Sequence, residues 1–140
     1  MSEVYLGNPN LKKANTPIEF SQENILEFMR CKEDPVYFAN KHIKIVSIDE
    51  GLVPFRMYPF QKKLISNFHE NRFNICKMPR QTGKSTTVVS YLLHYAVFND
   101  NVNIAILANK ASTARDLLGR LQLAYENLPK WMHCLLYTSP

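Results

Sequence analysis

The sequence has few glycines and cysteines, and it contains no long apolar run. Four glycines in 140 residues exclude collagen-like and other glycine-rich repeats. The three cysteines are widely spaced without a C-x-x-C pair, which argues against a disulfide framework or a zinc knuckle and favours a reducing compartment. The longest apolar stretches, such as residues 104–108, are far shorter than a membrane span, and the first residues do not resemble a secretory signal. We therefore expect an intracellular protein with no membrane contact.

The composition is that of a folded domain with a mild excess of positive charge. Hydrophobic residues make up 46% of the chain, including 8 Phe and 7 Tyr, so a core can be buried. The length suits one compact domain. Seventeen basic and 12 acidic side chains give a net charge of +5, which suits a polyanion-binding protein without establishing one.

The first part of the chain predicts an arm followed by a small α+β subregion. Residues 1–20 are polar and punctuated by proline, which is typical of an extended arm. Ser21 can cap a first helix, and Asp34 followed by proline can start a second. The alternation over residues 43–48 predicts a strand, and a turn then leads to a second short strand. We assign this subregion to residues 21–57.

Residues 58–133 predict the start of an α/β core. The expected order is a helix over 59–70, an interior strand over 73–76, a loop over 78–84, a helix over 84–98, a strand over 102–108 and a last helix that Ser112 caps. Strands and helices that alternate in this way predict a parallel sheet flanked by helices, joined by a right-handed crossover. The fold class expected here is an incomplete P-loop nucleoside triphosphatase.

The sharpest motif is the loop of residues 80–86, RQTGKST, which contains the G-K-[ST] end of a phosphate-binding loop. Gly83 lets the main chain turn towards a ligand, and the N-terminus of the next helix presents N–H groups to phosphate oxygens. Lys84 adds a full positive charge, and the Ser85 hydroxyl can ligate Mg²⁺. The first glycine of the full pattern is replaced by Met78. An ordinary strand-to-helix turn is the alternative.

Two further side chains are candidates for nucleotide contacts. Arg80 lies in the same loop, so its guanidinium can reach a γ-phosphate; the alternative is a surface arginine paired with a carboxylate. Gln61 precedes the loop on the predicted helix and can form two hydrogen bonds with adenine; the alternative is a solvated side chain.

These segments resemble the N-terminal part of the large terminase subunit, the DNA-packaging motor ATPase of tailed bacteriophages. The resemblance keeps its order and spacing over nearly the whole chain. It is carried by residues 5–15 (YLGNPNLKKAN), 31–39 (CKEDPVYFA), 58–61 (YPFQ), 80–86 (RQTGKST) and 106–110 (ILANK). The phosphate loop of that family also lacks the first glycine, so Met78 agrees with the resemblance.

The resemblance implies a function and a set of site residues. ATP and Mg²⁺ are the implied cofactors, with Arg80 and Lys84 acting on the γ-phosphate and Ser85 binding the metal. The implied nucleotide-binding residues are Gln61, Arg80, Gln81, Thr82, Gly83, Lys84, Ser85 and Thr86. The implied partners are double-stranded DNA, the portal protein, the small terminase subunit and further copies of the chain, in the host cytoplasm.

Parts of the family pattern are missing. No apolar run ending in an acidic pair follows residues 102–108; Asp116 and Glu126 are the only later acidic residues. The coupling motif and the nuclease domain are also missing, and residues 134–140 resemble translated sequencing adapter. We therefore expect a fragment with absent or very slow hydrolysis, because no carboxylate polarises the attacking water.

Three alternatives remain open. A helicase or other P-loop translocase also combines an upstream glutamine with a phosphate loop. A small non-catalytic DNA-binding module would bind DNA with strong salt dependence and no response to nucleotide. A structural domain with an incidental G-K-S sequence would not respond to the loss of the Lys84 charge.

Overall fold

The structure is a computed structural model that describes residues 4–5, 8–12, 17 and 19–135. Helices dominate this part of the chain. They are α1 (Gln22–Glu33), α2 (Pro35–His42), α3 (Pro59–Glu70), α4 (Lys84–Phe98), α5 (Ala111–Glu126) and a 3-10 helix (Lys130–Leu135). The strands are β1 (Val4–Tyr5), β2 (Asn8–Lys12), β3 (Lys44–Ser47) and β4 (Gly51–Pro54). Parts of the predicted arm, and residues 136–140 of the tail unlike the terminase family, lie outside the described residues.

The first two helices begin where the sequence predicts, because each has a side-chain cap. The Ser21 hydroxyl accepts a hydrogen bond from the Asn24 N–H at 3.1 Å. The Asp34 carboxylate accepts one from the Tyr37 N–H at 2.9 Å, and Pro35 occupies the first helical position. The predicted bounds of α3 and α4 are also confirmed. The predicted cap of α5 is wrong by two residues, because Ser112 lies inside the helix and Lys110 precedes it.

The predicted pair of short strands after α2 is confirmed as a hairpin. Strands β3 and β4 pair in antiparallel register from Lys44 opposite Pro54 to Ser47 opposite Gly51. Gly51 has a φ of +73°, a backbone conformation that favours glycine over residues with a side chain. The hairpin places Ile43, Ile45 and Val46 beside α4 and α5, where these residues line a cavity of about 300 Å³.

The predicted parallel sheet is wrong, and with it the expected P-loop nucleoside triphosphatase fold. Within the described residues, the sheets are two separate antiparallel pairs, β1 with β2 and β3 with β4. Residues 73–76 and 102–108 form no strand. Phe73, Ile75 and Leu107 are 83%, 100% and 90% exposed, so these segments are not interior strands. The apolar and β-branched side chains suit a strand, but a strand also needs a neighbouring backbone to bond, and here none pairs with them.

The core forms where α1, α2 and α4 meet, and it joins the two parts of the chain that the sequence separates at residue 57. Phe38 of α2 is fully buried and contacts the ring of Phe98 of α4 edge-on, with ring centroids 5.4 Å apart. Ile65 of α3 and Leu93 of α4 are also fully buried. Helix α5 packs against α4. Among the described residues, no helix is long and apolar enough to cross a membrane.

Candidate phosphate-binding site

The loop before α4 has the backbone shape of an anion-binding turn. Gly83 precedes the helix with φ +71° and ψ +18°, and Gln81 also lies in the left-handed region with φ +62°. The first-turn N–H groups of a helix have no intrahelical acceptor. No side chain caps them in α4, unlike α1 and α2. The main chain therefore presents free N–H donors, with the positive end of the helix dipole, at the end of the loop.

Lys84 lies across this loop. Its Nζ donates a hydrogen bond to the Met78 carbonyl oxygen at 3.2 Å, so the side chain folds back from the first residue of α4 to the start of the loop. The Thr82 hydroxyl donates to the Pro79 carbonyl oxygen at 3.1 Å and holds the turn from inside. These two bonds hold the loop in its bent conformation and place the Lys84 ammonium at its start.

Gln61 ties α3 to the loop. It is 3% exposed; its Oε1 accepts from the Tyr58 N–H at 2.9 Å, and its Nε2 donates to the Thr82 carbonyl oxygen at 3.2 Å. A Cβ added at Gly83 would meet the Gln61 Nε2 at 2.5 Å. In this structure, Gln61 thus positions the loop before α4 through its hydrogen bond to Thr82 and its close contact with Gly83. Its contact with adenine stays a prediction from the sequence.

The loop and the start of α4 form one wall of an open cleft of about 380 Å³. Three cationic residues line it, namely Arg80, Lys84 and Arg120, and among the described residues no acidic side chain does. Like charges repel, so this grouping is favourable when an anion lies between them. The structure therefore brings together the predicted residues Arg80, Gln81, Gly83, Lys84, Ser85 and Thr86, while Thr82 and Gln61 support the loop.

The hydroxyls of α4 differ in their partners. Thr87 and Ser90 each donate to the carbonyl oxygen four residues earlier, at 2.9 and 2.8 Å. Ser85 lines the cleft, and among the described residues its hydroxyl has no hydrogen-bond partner, unlike those of Thr87 and Ser90. A lone hydroxyl fits a Mg²⁺ ion that takes its other ligands from phosphate and water, because Mg²⁺ keeps several waters when it binds nucleotides.

Arg120 is the cleft residue that the sequence analysis misses. It lies on α5, 36 residues after Lys84, and no spacing rule joins a phosphate loop to a later helix. The available signal was helical periodicity: Arg120 lies one turn before Ala124, which is 4% exposed. That spacing places the exposed Arg120 next to the side of α5 that packs on α4.

A second group of titratable side chains lies away from the cleft and centres on Glu27. This carboxylate accepts hydrogen bonds from Lys41 at 2.9 Å, the Tyr37 hydroxyl at 3.1 Å and the Cys31 thiol at 3.6 Å, and it pairs with His42 at 2.8 Å. Burial raises the pKa of Glu27, but the bonds from Lys41, His42 and Tyr37 outweigh it and lower the pKa to about 2. Burial and the Glu27 charge raise the pKa of the Cys31 thiol to about 12.

The potential ligand atoms of the Glu27 group are close enough together to hold a metal ion, but their hydrogen bonds and ion pair are those of a structural network. Ligand atoms of Glu27, Cys31 and His42 lie within 4.8 Å of one another. The carboxylate is already bound to the Lys41 ammonium, and the thiol stays protonated near neutral pH, whereas a metal needs a thiolate. The network therefore joins α1 to α2, and it does not change the choice of the cleft as the candidate site.

The chain was compared with models of known protein families. No family model matches the chain.

Proposed function

We propose that the chain binds the phosphates of ATP in the cleft before α4. The observation that carries this proposal is the grouping of Arg80, Lys84 and Arg120 around a helix N-terminus without a side-chain cap, where no acidic residue of the described chain joins the lining. Backbone N–H groups and cationic side chains together are what a triphosphate needs, since it carries several negative charges on closely spaced oxygens.

Each residue has a distinct part in this proposal. Gly83 allows the close approach of the main chain, and Lys84 supplies charge next to the β- and γ-phosphates. Arg80 is exposed at the rim of the cleft, where its guanidinium can bind the terminal phosphate. Ser85 is the protein ligand of Mg²⁺, which neutralises phosphate charge when bound.

The sequence resemblance supports a wider proposal. We infer that the phosphate site belongs to a DNA-packaging motor of the large terminase type, in which ATP hydrolysis moves double-stranded DNA through a portal protein into a procapsid in the host cytoplasm. This proposal depends on the matching segments, including residues 80–86, and not on a P-loop nucleoside triphosphatase fold. The mild excess of positive charge agrees with a nucleic-acid partner.

The test is a calorimetric titration of the chain with Mg²⁺-ATP. Replacing Lys84 with alanine removes the charge beside the phosphates, so we expect at least a tenfold loss of affinity, or about 1.4 kcal/mol. Lys63→Ala, on the exposed face of α3, is the matched control and is expected to change the affinity less than twofold.

Two results would contradict the proposal. Equal ATP affinity in the wild type and Lys84→Ala would favour a structural domain with an incidental G-K-S sequence. Binding of duplex DNA that weakens steeply with salt, together with no binding of ATP, would favour a non-catalytic DNA-binding module.

A further inference from the structure

Arg120 reaches the cleft from a helix that is distant in sequence from the phosphate loop. Helix α5 packs against α4, and the next turn after Arg120 places Leu123 and Ala124 in the wall of the cavity beside the hairpin. Arg120 lines both this cavity and the cleft, and Thr86 of α4 is the other residue common to the two. The arginine thus lies on the boundary between the two spaces, facing the first turn of α4.

Arg120 does not use the ion-pair partner that its own helix offers. Asp116 lies four residues earlier, the spacing at which an acidic and a basic residue pair on a helix surface. Within the described part of the chain, both ion pairs involve Glu27, and Asp116 and Arg120 do not pair. The exposed arginine instead lines a cleft with two other cationic residues and, in the described part of the chain, no carboxylate.

We propose that Arg120 is a third phosphate-contacting residue, which binds the triphosphate from the side opposite the loop. The proposal rests on the function proposed above and deepens it. A guanidinium can give two parallel hydrogen bonds to phosphate oxygens, a geometry that an ammonium cannot match. A bound triphosphate then bridges α4 and α5, so the ligand stabilises the packing of the two helices as well as filling the cleft.

The experiment compares variants of the full chain by calorimetric titration with Mg²⁺-ATP and with inorganic tripolyphosphate, which has no base or sugar. We expect Arg120→Ala to lose about tenfold in affinity for both ligands, equivalent to about 1.4 kcal/mol. Arg120→Lys, which keeps the charge but not the paired hydrogen bonds, is expected to recover part of the loss. Arg115→Ala removes an exposed arginine from the same helix outside the cleft and is expected to leave both affinities within twofold.

The outcomes separate this proposal from the one on which it rests. If Lys84→Ala loses binding while Arg120→Ala matches Arg115→Ala, the cleft binds phosphate and Arg120 has no part in it. If Arg120→Ala weakens binding of ATP but not of tripolyphosphate, its contact is with the nucleoside, and the proposal is overturned. If the wild type binds neither ligand, both proposals fail. Thermal unfolding of Arg120→Gln checks that the fold is kept, and its titration replaces that of the alanine variant if alanine lowers the melting temperature.

Discussion

In the loop before α4, one glycine meets two structural requirements. Gly83 adopts a left-handed backbone conformation, and the space beside its Cα is taken by the Gln61 amide, which would lie 2.5 Å from a Cβ. Gly51 in the hairpin has a similar φ of +73°, but nothing lies within 4 Å of its missing Cβ. Comparing substitutions at the two glycines therefore separates the free-energy cost of the left-handed conformation from that of the steric contact with Gln61.

The first prediction at this scale compares Gly83→Ala with Gly51→Ala. Both alanines carry the left-handed penalty of about 1–2 kcal/mol. Gly83→Ala also displaces Gln61 from the Thr82 carbonyl oxygen, and we expect it to lower the free energy of unfolding by about 1 kcal/mol more than Gly51→Ala does. Urea denaturation measures both values. Equal losses would show that the contact of Gln61 with the loop contributes nothing to stability.

At the scale of the helices and strands, local and non-local features differ in how well the sequence predicts them. The starts of α1 and α2 could be predicted because Ser21 and Asp34 bond N–H groups only three residues away. The parallel sheet could not, since a strand depends on which backbone segments meet in space. The apolar runs at 73–76 and 102–108 satisfy the local preference without the pairing. The candidate site follows the same rule: the contiguous loop can be recognised as one motif in the sequence, whereas Arg120 joins it only through the packing of α5 on α4.

The contacts of Glu27 between α1 and α2 predict how much this network stabilises the fold. Glu27 of α1 pairs with Lys41 and His42 at the end of α2. Glu27→Gln removes the charge that pairs with the Lys41 ammonium and that interacts with the His42 ring through a hydrogen bond, so we expect the free energy of unfolding to fall by about 2 kcal/mol. Glu23→Gln, in the exposed first turn of the same helix, is the control and is expected to cost about 0.5 kcal/mol through the helix dipole alone. Chemical denaturation at neutral pH measures both, and a similar loss in the two variants would contradict a structural role for the network.

At the scale of the whole molecule, a buried histidine makes the stability of the folded protein depend on pH. His94 is 2% exposed, and its Nε2 donates to the Cys31 carbonyl oxygen at 2.8 Å, while its Nδ1 has no hydrogen-bond partner among the described residues. Burial lowers the pKa of His94 to about 4; the hydrogen bond to the Cys31 carbonyl opposes this shift, and the charge of the nearby His69 adds to it. The folded protein therefore binds this proton less readily than the unfolded chain.

This difference predicts the pH dependence of stability. The stabilisation from neutral His94 is present above pH 6.5 and is lost as the pH falls towards 4, by up to about 3 kcal/mol at 1.36 kcal/mol per pKa unit. Glu27 then contributes in a lower window, from 4.5 to about 2. His94→Gln keeps a donor for Cys31 and cannot titrate, so the slope between pH 6.5 and 4 should flatten. His69→Gln removes a neighbouring charge that lowers the His94 pKa, so it should reduce the slope only in part. A flat profile in the wild type would contradict the assignment.

The one tryptophan of the sequence lies beside the end of α2, where its fluorescence depends on the packing of the 3-10 helix against α2. Trp131 is the one tryptophan in the sequence, and its ring meets that of His42 edge-on with centroids 6.2 Å apart. Indole fluorescence responds to charge and polarity near the ring, so the emission of this chain comes from one known place beside the end of α2. Protonation of His42, or separation of the 3-10 helix from α2, would change that emission without any added dye.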